Sequence, residues 1–224
     1  MLRHLINRRQ SYIAAAIVVL IVTSIILKLY SLRHESRIRM CKAHIHEVSL
    51  SIHVYNAKYG RLPPAVVYKD GIAMHSWRVL ILEVWRPDLF AQYRMTEPWN
   101  SPHNSLLAIQ MPHQYKCSFF DASIPSDHTT YVAVVGAGTA MRTSDEVARR
   151  IEDIPKDRLI LIELPKKPRH WMSPDDASPA EVSAYFNTID SNSPEHDHYV
   201  RSDGLVRHVR GLSPTQLADQ MRVE

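Results

Sequence analysis

An α+β fold is predicted by three observations. Apolar residues near the N-terminus recur at helical spacing, short aliphatic runs in the second half are bounded by breakers, and an Asp-Gly pair separates two of those runs. The expected order is a transmembrane helix continuing into a long amphipathic helix packed on a small antiparallel sheet. It divides the chain into a basic tip (1–11), a span (12–30), a stalk (31–60) and a soluble domain (61–224).

The span is the firmest element. No charged side chain occurs from Ser11 to Leu27, and Tyr12 and Tyr30 border an almost wholly aliphatic run. Its 19 residues rise roughly 28 Å as a helix, close to the hydrocarbon thickness of a bilayer. The tyrosines suit the interfacial belt, and Lys28 can snorkel. A cleavable signal peptide would end in a small-x-small site, but Lys28-Leu29-Tyr30-Ser31-Leu32 offers none, so a retained anchor is expected. Arg3, Arg8 and Arg9 precede the span, while Lys28, Arg33, Arg37, Arg39 and Lys42 follow it. That count by itself places the large domain inside, although long domains translocate despite flanking charge.

The stalk carries Ile38, Cys41, Ile45, Val48, Ile52, Tyr55 and Tyr59 at alternating spacings of three and four, with charged residues on the other faces. Gly60 supplies a helix stop, and Pro63-Pro64 prevents continuation. His75–Trp85 reads as a helix or a buried strand, and periodicity does not decide which. A turn is expected around Asn100-Ser101-Pro102, then a short helix near Asn104–Gln110. Thr130–Val135 and Arg158–Leu164 read as strands. Asp203-Gly204 reads as a hairpin turn between His198–Ser202 and Leu205–Val209. Ser213-Pro214 opens a terminal helix with an N-cap serine and a proline at the first position. Pro165–Pro194, rich in Pro, Ser and Asp, reads as a long surface excursion.

Composition excludes some functions. The net charge of +4 is spread along the chain and forms no dense basic stripe, so nucleic acid is not an expected partner. Val134-Val135-Gly136-Ala137-Gly138 mimics a dinucleotide fingerprint, but Met141 stands where a third small residue belongs, and no βαβ series surrounds it. His196 and His198 share a face if the segment is a strand and could ligate a metal, yet no cysteine or glutamate completes a familiar spacing. Ser76 beside His75 and Ser101 near His103 lack the flanking glycines of a nucleophile elbow. No catalytic residue, cofactor, resident metal or small-molecule substrate is expected. Cys41 and Cys117 are either a disulfide, worth roughly 4 kcal/mol in the chain-entropy model, or two separate buried thiols.

Several motifs resemble those of a pseudopilin-like (type IV prepilin-like) domain of unknown function expanded in planctomycete bacteria. Cys41–Pro64 is similar to its Cys-led helix ending in Tyr, Gly and paired prolines. His75-Ser76-Trp77-Arg78, Glu97–Asn104, Tyr115-Lys116-Cys117, Tyr131–Ala140, Trp171–Asp176 and Ser202–Arg207 follow in the family's order. The resemblance covers residues 38 to 222. It implies export, a pilin-like long helix packed on a β-sheet, and no catalytic residues. The chain departs from the family's prepilin signal: Arg9–Ala15 contains neither the processing glycine nor the glutamate of the apolar core. That glutamate offsets a neighbouring subunit's amine in a filament, because an unpaired charge in the bilayer is costly.

The expected protein is therefore a non-enzymatic, single-pass protein of the inner membrane with its soluble domain on the periplasmic side. Its expected partners are the bilayer and, as candidates, itself or other pseudopilin-like subunits, with Trp77, Arg78, Trp99, His103 and Asn104 as a candidate binding surface. The alternatives are a subunit of a pilus-like or secretion filament, and a metal-dependent enzyme built on His196 and His198.

Overall fold

Helix α1 runs from Leu2 to Tyr59 in the computed structural model, which describes residues 2–117, 124–189 and 197–223, with residues 2–11 described by backbone alone. The chain divides into two units, Met1–Arg39 and Met40–Glu224. In the first unit the apolar window is wholly unburied, and α1 is long and apolar enough to cross a membrane. The polar side chains inside that window satisfy themselves. The Thr23 hydroxyl donates to the Val19 carbonyl and Ser24 Oγ to that of Leu20 at 2.8 Å, so neither demands a partner from lipid.

The second unit begins one residue before the buried stripe, so the expected stalk 31–60 is divided, and only its part from Met40 belongs to the folded core. Cys41, Ile45, Val48, Ile52 and Tyr55 are buried there, while the intervening residues of the outer face stay exposed. Each fully buried aliphatic side chain contributes roughly 1.5–3 kcal/mol, which fixes this part of the helix to the domain. Gly60, at φ 66°, ends the helix with its N–H on the Asn56 carbonyl.

A hairpin of β1 (Val66–Lys69) and β2 (Ile72–Ser76) follows, turning at Asp70-Gly71, both at positive φ. Three single-turn helices come next: α2 (Trp77–Leu80), α3 (Leu82–Trp85) and α4 (Pro87–Phe90). The ambiguous His75–Trp85 stretch thus holds both structures. Its first two residues end a strand, and Ser76 then caps α2 by accepting from the Arg78 N–H. The short helix α5 (Pro102–Ser105) is followed by a 3₁₀ turn over Ala108–Gln110.

Two strand pairs complete the β structure. β3 (His128–Thr129) pairs with β6 (Arg169–His170). The main sheet has the order β4 (Tyr131–Ala133), β5 (Leu159–Glu163), β7 (His198–Arg201), β8 (Val206–His208), antiparallel throughout. Alternation sorts its side chains into two cores. Tyr131, Ala133, Leu161, Val200 and Val206 join the α1 stripe, while Val132, Ile162 and Tyr199 face α6 (Pro179–Phe186) and α7 (Pro214–Gln220). The sheet is therefore the middle of three layers. α7 starts with the expected Ser213 cap, completed as a capping box by Gln216.

The expected surface excursion over Pro165–Pro194 is corrected. Residues 190–194 lie outside the described part, but the rest holds β6 and α6 and buries Trp171, Met172, Ala177 and Val182. Its polar composition misleads because those residues end elements: Ser178 caps α6 through the Glu181 N–H, with Pro179 at the first helical position.

Candidate functional site

The motif residues converge on one buried arginine. Arg78 and Asp176 are 0% and 1% exposed, and Arg78 Nη2 stands 2.6 Å from Asp176 Oδ1. Arg78 Nε and Nη2 also donate to the Tyr131 carbonyl at 3.1 and 2.9 Å, and Nη1 donates to Ser76 Oγ at 3.0 Å. Asp176 Oδ1 further accepts from the Trp77 indole N–H at 3.2 Å and from the Ala133 N–H at 2.8 Å. The guanidinium lies over the Trp77 ring, 4.7 Å from its centroid. Burial raises the Asp176 carboxyl above the usual range, and the opposing guanidinium counters that rise as the charge partner this carboxylate needs.

This network links the start of α2 to β4 and to the turn before α6. Its donors and acceptors are already engaged, so it has no open position for a ligand. Around it Tyr115 donates to the Arg78 carbonyl at 2.8 Å and meets the rings of Trp77, Trp85 and Trp171.

The candidate binding surface is corrected accordingly. Trp77, Arg78 and Asn104 are fully buried, because their polar atoms reach partners inside the domain: Asp176 for Trp77, Asp176, Ser76 and the Tyr131 carbonyl for Arg78, and backbone groups for Asn104. Asn104 Nδ2 donates to the carbonyls of Arg94 and Pro98 at 3.1 and 3.0 Å, and its Oδ1 accepts from the Arg94 N–H at 2.9 Å, which closes the 94–98 turn. Trp99 is half-buried, with its N–H on the Met74 carbonyl and its ring against His170. His103 reaches the Gln92 carbonyl from a half-buried position. These five residues are engaged inside the domain and do not make one exposed surface. Asp176 was missed as the partner of Arg78; the signal available was a carboxylate in the Trp171–Asp176 motif.

His75 is a second buried hub. Its Nε2 faces the Met95 carbonyl at 3.0 Å and must donate, so Nδ1 accepts from the Tyr93 hydroxyl at 2.9 Å. Both nitrogens are used in the neutral ring, and burial holds the His75 pKa below its ordinary value. Neither Ser76 nor Ser101 is a poised nucleophile, since each hydroxyl caps a helix.

His198 donates or accepts at Glu163 Oε2, 3.1 Å away, with both side chains inside the sheet; burial raises the Glu163 carboxyl and His198 opposes the rise. The His208 ring lies tilted against that of His198, with centroids 4.7 Å apart, and His208 bonds Asp197 at 3.3 Å. His196 lies outside the described residues, and among the described ones no group of three His, Cys, Asp or Glu could hold a metal ion. The Gly136-Ala137-Gly138 turn ends a strand and opens no helix.

Cys41 and Cys117 are joined by a disulfide, with Cα atoms 4.6 Å apart and both side chains buried. The bridge ties the first buried turn of α1 to the segment after α5. An open cleft of about 490 Å³ is lined by Ile151, Glu152, Ile154, Lys156, Asp203 and Leu205, with Asp203 already engaged by Arg201 and the Leu205 N–H.

No curated protein and no solved structure matches the chain. Residues 31–207, from the last turns before the buried stripe to the final sheet strand, match the family described as "Protein of unknown function (DUF1559)". The match takes in both bridged cysteines, the Arg78–Asp176 pair and all four strands of the main sheet, and the chain belongs to that family.

Proposed function

We propose that this protein is a non-enzymatic, single-pass membrane-anchored envelope protein. In this reading the unit from Met40 onward stands on the periplasmic side of the inner membrane, as a monomer or small assembly with a structural or interaction role. The observation that carries the reading is the apolar window of α1, no part of which is buried by the protein. Nineteen such residues gain a solvent only in lipid. The bridged Cys41–Cys117 pair supports the side, since disulfides persist where thiols are not kept reduced. The resemblance to pseudopilin-like domains supports it also. The convergence of the motifs on filled, buried networks favours a structural role over catalysis.

Alkaline carbonate extraction of membranes containing the full chain tests the anchor: the chain is expected in the pellet, and recovery in the supernatant sinks the reading. Protease added outside spheroplasts is expected to digest the unit from Met40 onward, and the oxidised chain should run faster without reductant. Full protection of that unit would place it in the cytoplasm and overturn the assigned side.

A further inference from the structure

The buried apolar stripe of α1 is bordered by a polar one. His46, Ser49, His53 and Asn56 recur at spacings of three and four, so they share one flank of the helix. Asn56 ties that flank to the segment after Arg150: its Nδ2 donates to Glu152 Oε1 at 2.9 Å, and its Oδ1 accepts from the Ile151 N–H at 3.0 Å. The two histidines meet the tip of the β7–β8 turn. The His46 Nδ1–H donates to the Gly204 carbonyl at 3.3 Å. His53 is placed differently. Its Nε2 is buried without a hydrogen-bond partner, as is Ser49 Oγ on the same flank. A Cβ added to Gly204 would stand 3.5 Å from that nitrogen, so the turn closes over the imidazole at a residue with no side chain, held at φ 79°.

Away from the helix the same turn is firmly bonded. The Ser202 N–H donates to the Arg158 carbonyl at 2.7 Å, Ser202 Oγ to the Pro155 carbonyl at 2.5 Å, and the Asp203 N–H to the Lys156 carbonyl at 3.3 Å. Toward α1 the tip rests on the two imidazoles. The charges that reach His53 come from three elements: Glu152 and Asp203 favour its proton, and His46 opposes it. Both carboxylates are already engaged, Asp203 by Arg201 at 2.8 Å, and Glu152 by Asn56 and by Arg150 at 3.5 Å. Lys156 lines the adjoining cleft. In the doubly protonated ring, Nε2–H has no acceptor, and a buried cation with an unmade hydrogen bond is among the costliest groups a protein can hold.

We propose that His53 is an acid-sensitive catch: when neutral it lets the Asp203-Gly204 tip close on α1, and when protonated it drives the tip away and widens the cleft between residues 151–156 and 202–205. Burial, the largest influence on this ring, holds its pKa below the ordinary 6.5, so the freed imidazole takes the proton first and acid favours the open contact. The contact is closed above pH 6.5 and is lost as pH falls through the folded value. The Glu152 carboxyl, held below its ordinary value first by its own backbone N–H, keeps its charge through that window. Every group involved lies in the unit from Met40 onward, so the catch does not depend on which side of a membrane that unit stands.

The test follows the full chain in detergent micelles between about pH 8 and pH 5, where histidine titrates. Exchange of the imidazole C2 hydrogens, read by mass spectrometry, gives the midpoint of each histidine. Amide exchange, corrected for its intrinsic dependence on pH, gives the opening of residues 201–206. Protection of that segment is expected to fall several-fold on acidification, with the midpoint of His53. His53→Gln, polar but unable to charge, should keep the disulfide and abolish the step, while His46→Gln should retain it. Protection that is unchanged down to pH 5, or a step that persists in His53→Gln, overturns the catch. Should His53→Gln fail to form its disulfide, the wild type alone decides: coincident midpoints support the catch, and separate ones overturn it.

Discussion

Arg78 is surrounded by acceptors that a lysine cannot serve together. A guanidinium presents five N–H donors in a planar fork, and this one spreads them over the Tyr131 carbonyl, Ser76 Oγ and the Asp176 carboxylate. Removing one partner of such a pair leaves a buried charge uncompensated, at a cost of about 3–5 kcal/mol. Asp176→Asn is therefore expected to lower the unfolding free energy by that amount, read from denaturant midpoints by tryptophan fluorescence, and Arg78→Lys to lower it measurably as well. A change within error in both would remove the pair from the framework. His75 supplies a pH dependence. Burial lowers its pKa from the ordinary 6.5, so the unfolded chain binds the proton first. The contribution of His75 is present above pH 6.5 and is lost as pH falls through the folded value. Glu163, raised by burial from 4.5, has the opposite sign: its contribution is present below 4.5 and lost as pH rises through its folded value. Comparison of the wild type with His75→Gln isolates the histidine. The variant is expected to show a shallower loss of stability on acidification below pH 6.5, and an unchanged slope would exclude His75 as a source.

Two elements owe their limits to local chemistry. The buried part of α1 is fastened at one end by the Cys41–Cys117 bridge across a sequence separation of 76 residues. In the chain-entropy model such a loop is worth about 4 kcal/mol. Cys41→Ser with Cys117→Ser is expected to lower stability by an amount of that order, with α1 retained by circular dichroism. Because both sulfurs are buried, reductant should open the native bridge only as fast as the domain unfolds; rapid reduction under native conditions would contradict that burial. The other end of the helix stops at Gly60, whose φ of 66° a side chain resists although space is open around it. Gly60→Ala is thus expected to cost about 1 kcal/mol from the backbone alone, seen as a lower melting temperature.

Across the whole molecule, the two units differ in how their apolar side chains are covered. In the first, the solvent contact of the window is complete and its hydroxyls are internally bonded. In the second, the sheet is covered on both faces, by α1 and by α6 with α7. Lysines at Ile17 and Ile21 would each cost about 2.5–3.5 kcal/mol near the centre of a membrane helix. The double variant is expected to shift from the carbonate-resistant pellet to the supernatant, and retention in the pellet would show that the window is not what holds the chain.

The sequence by itself determined whatever follows from near neighbours along the chain. It determined the apolar window, the stripe from Ile38 to Tyr59 (buried from Cys41 to Tyr55, with Ile38 half-buried and Tyr59 exposed), the Gly60 stop, the aliphatic runs of β4 and β5, the Asp203-Gly204 turn and the Ser213 cap. Each is a local pattern with a local cause: helical period, β-branching, positive φ or a capping hydroxyl. The same signal at Asp70-Gly71 was equally legible, yet its hairpin was not foreseen. Tertiary structure alone decided that Trp77, Arg78 and Asn104 face inward, since a polar side chain is buried only when distant groups such as Asp176 and the Tyr131 carbonyl arrive to satisfy it. It likewise decided that a Pro-, Ser- and Asp-rich stretch contributes Trp171 and Val182 to the core, and that the two cysteines, free or bridged on sequence grounds, come within bonding reach. Which polar atoms meet depends on how three layers close over one another, and no spacing along the chain records that.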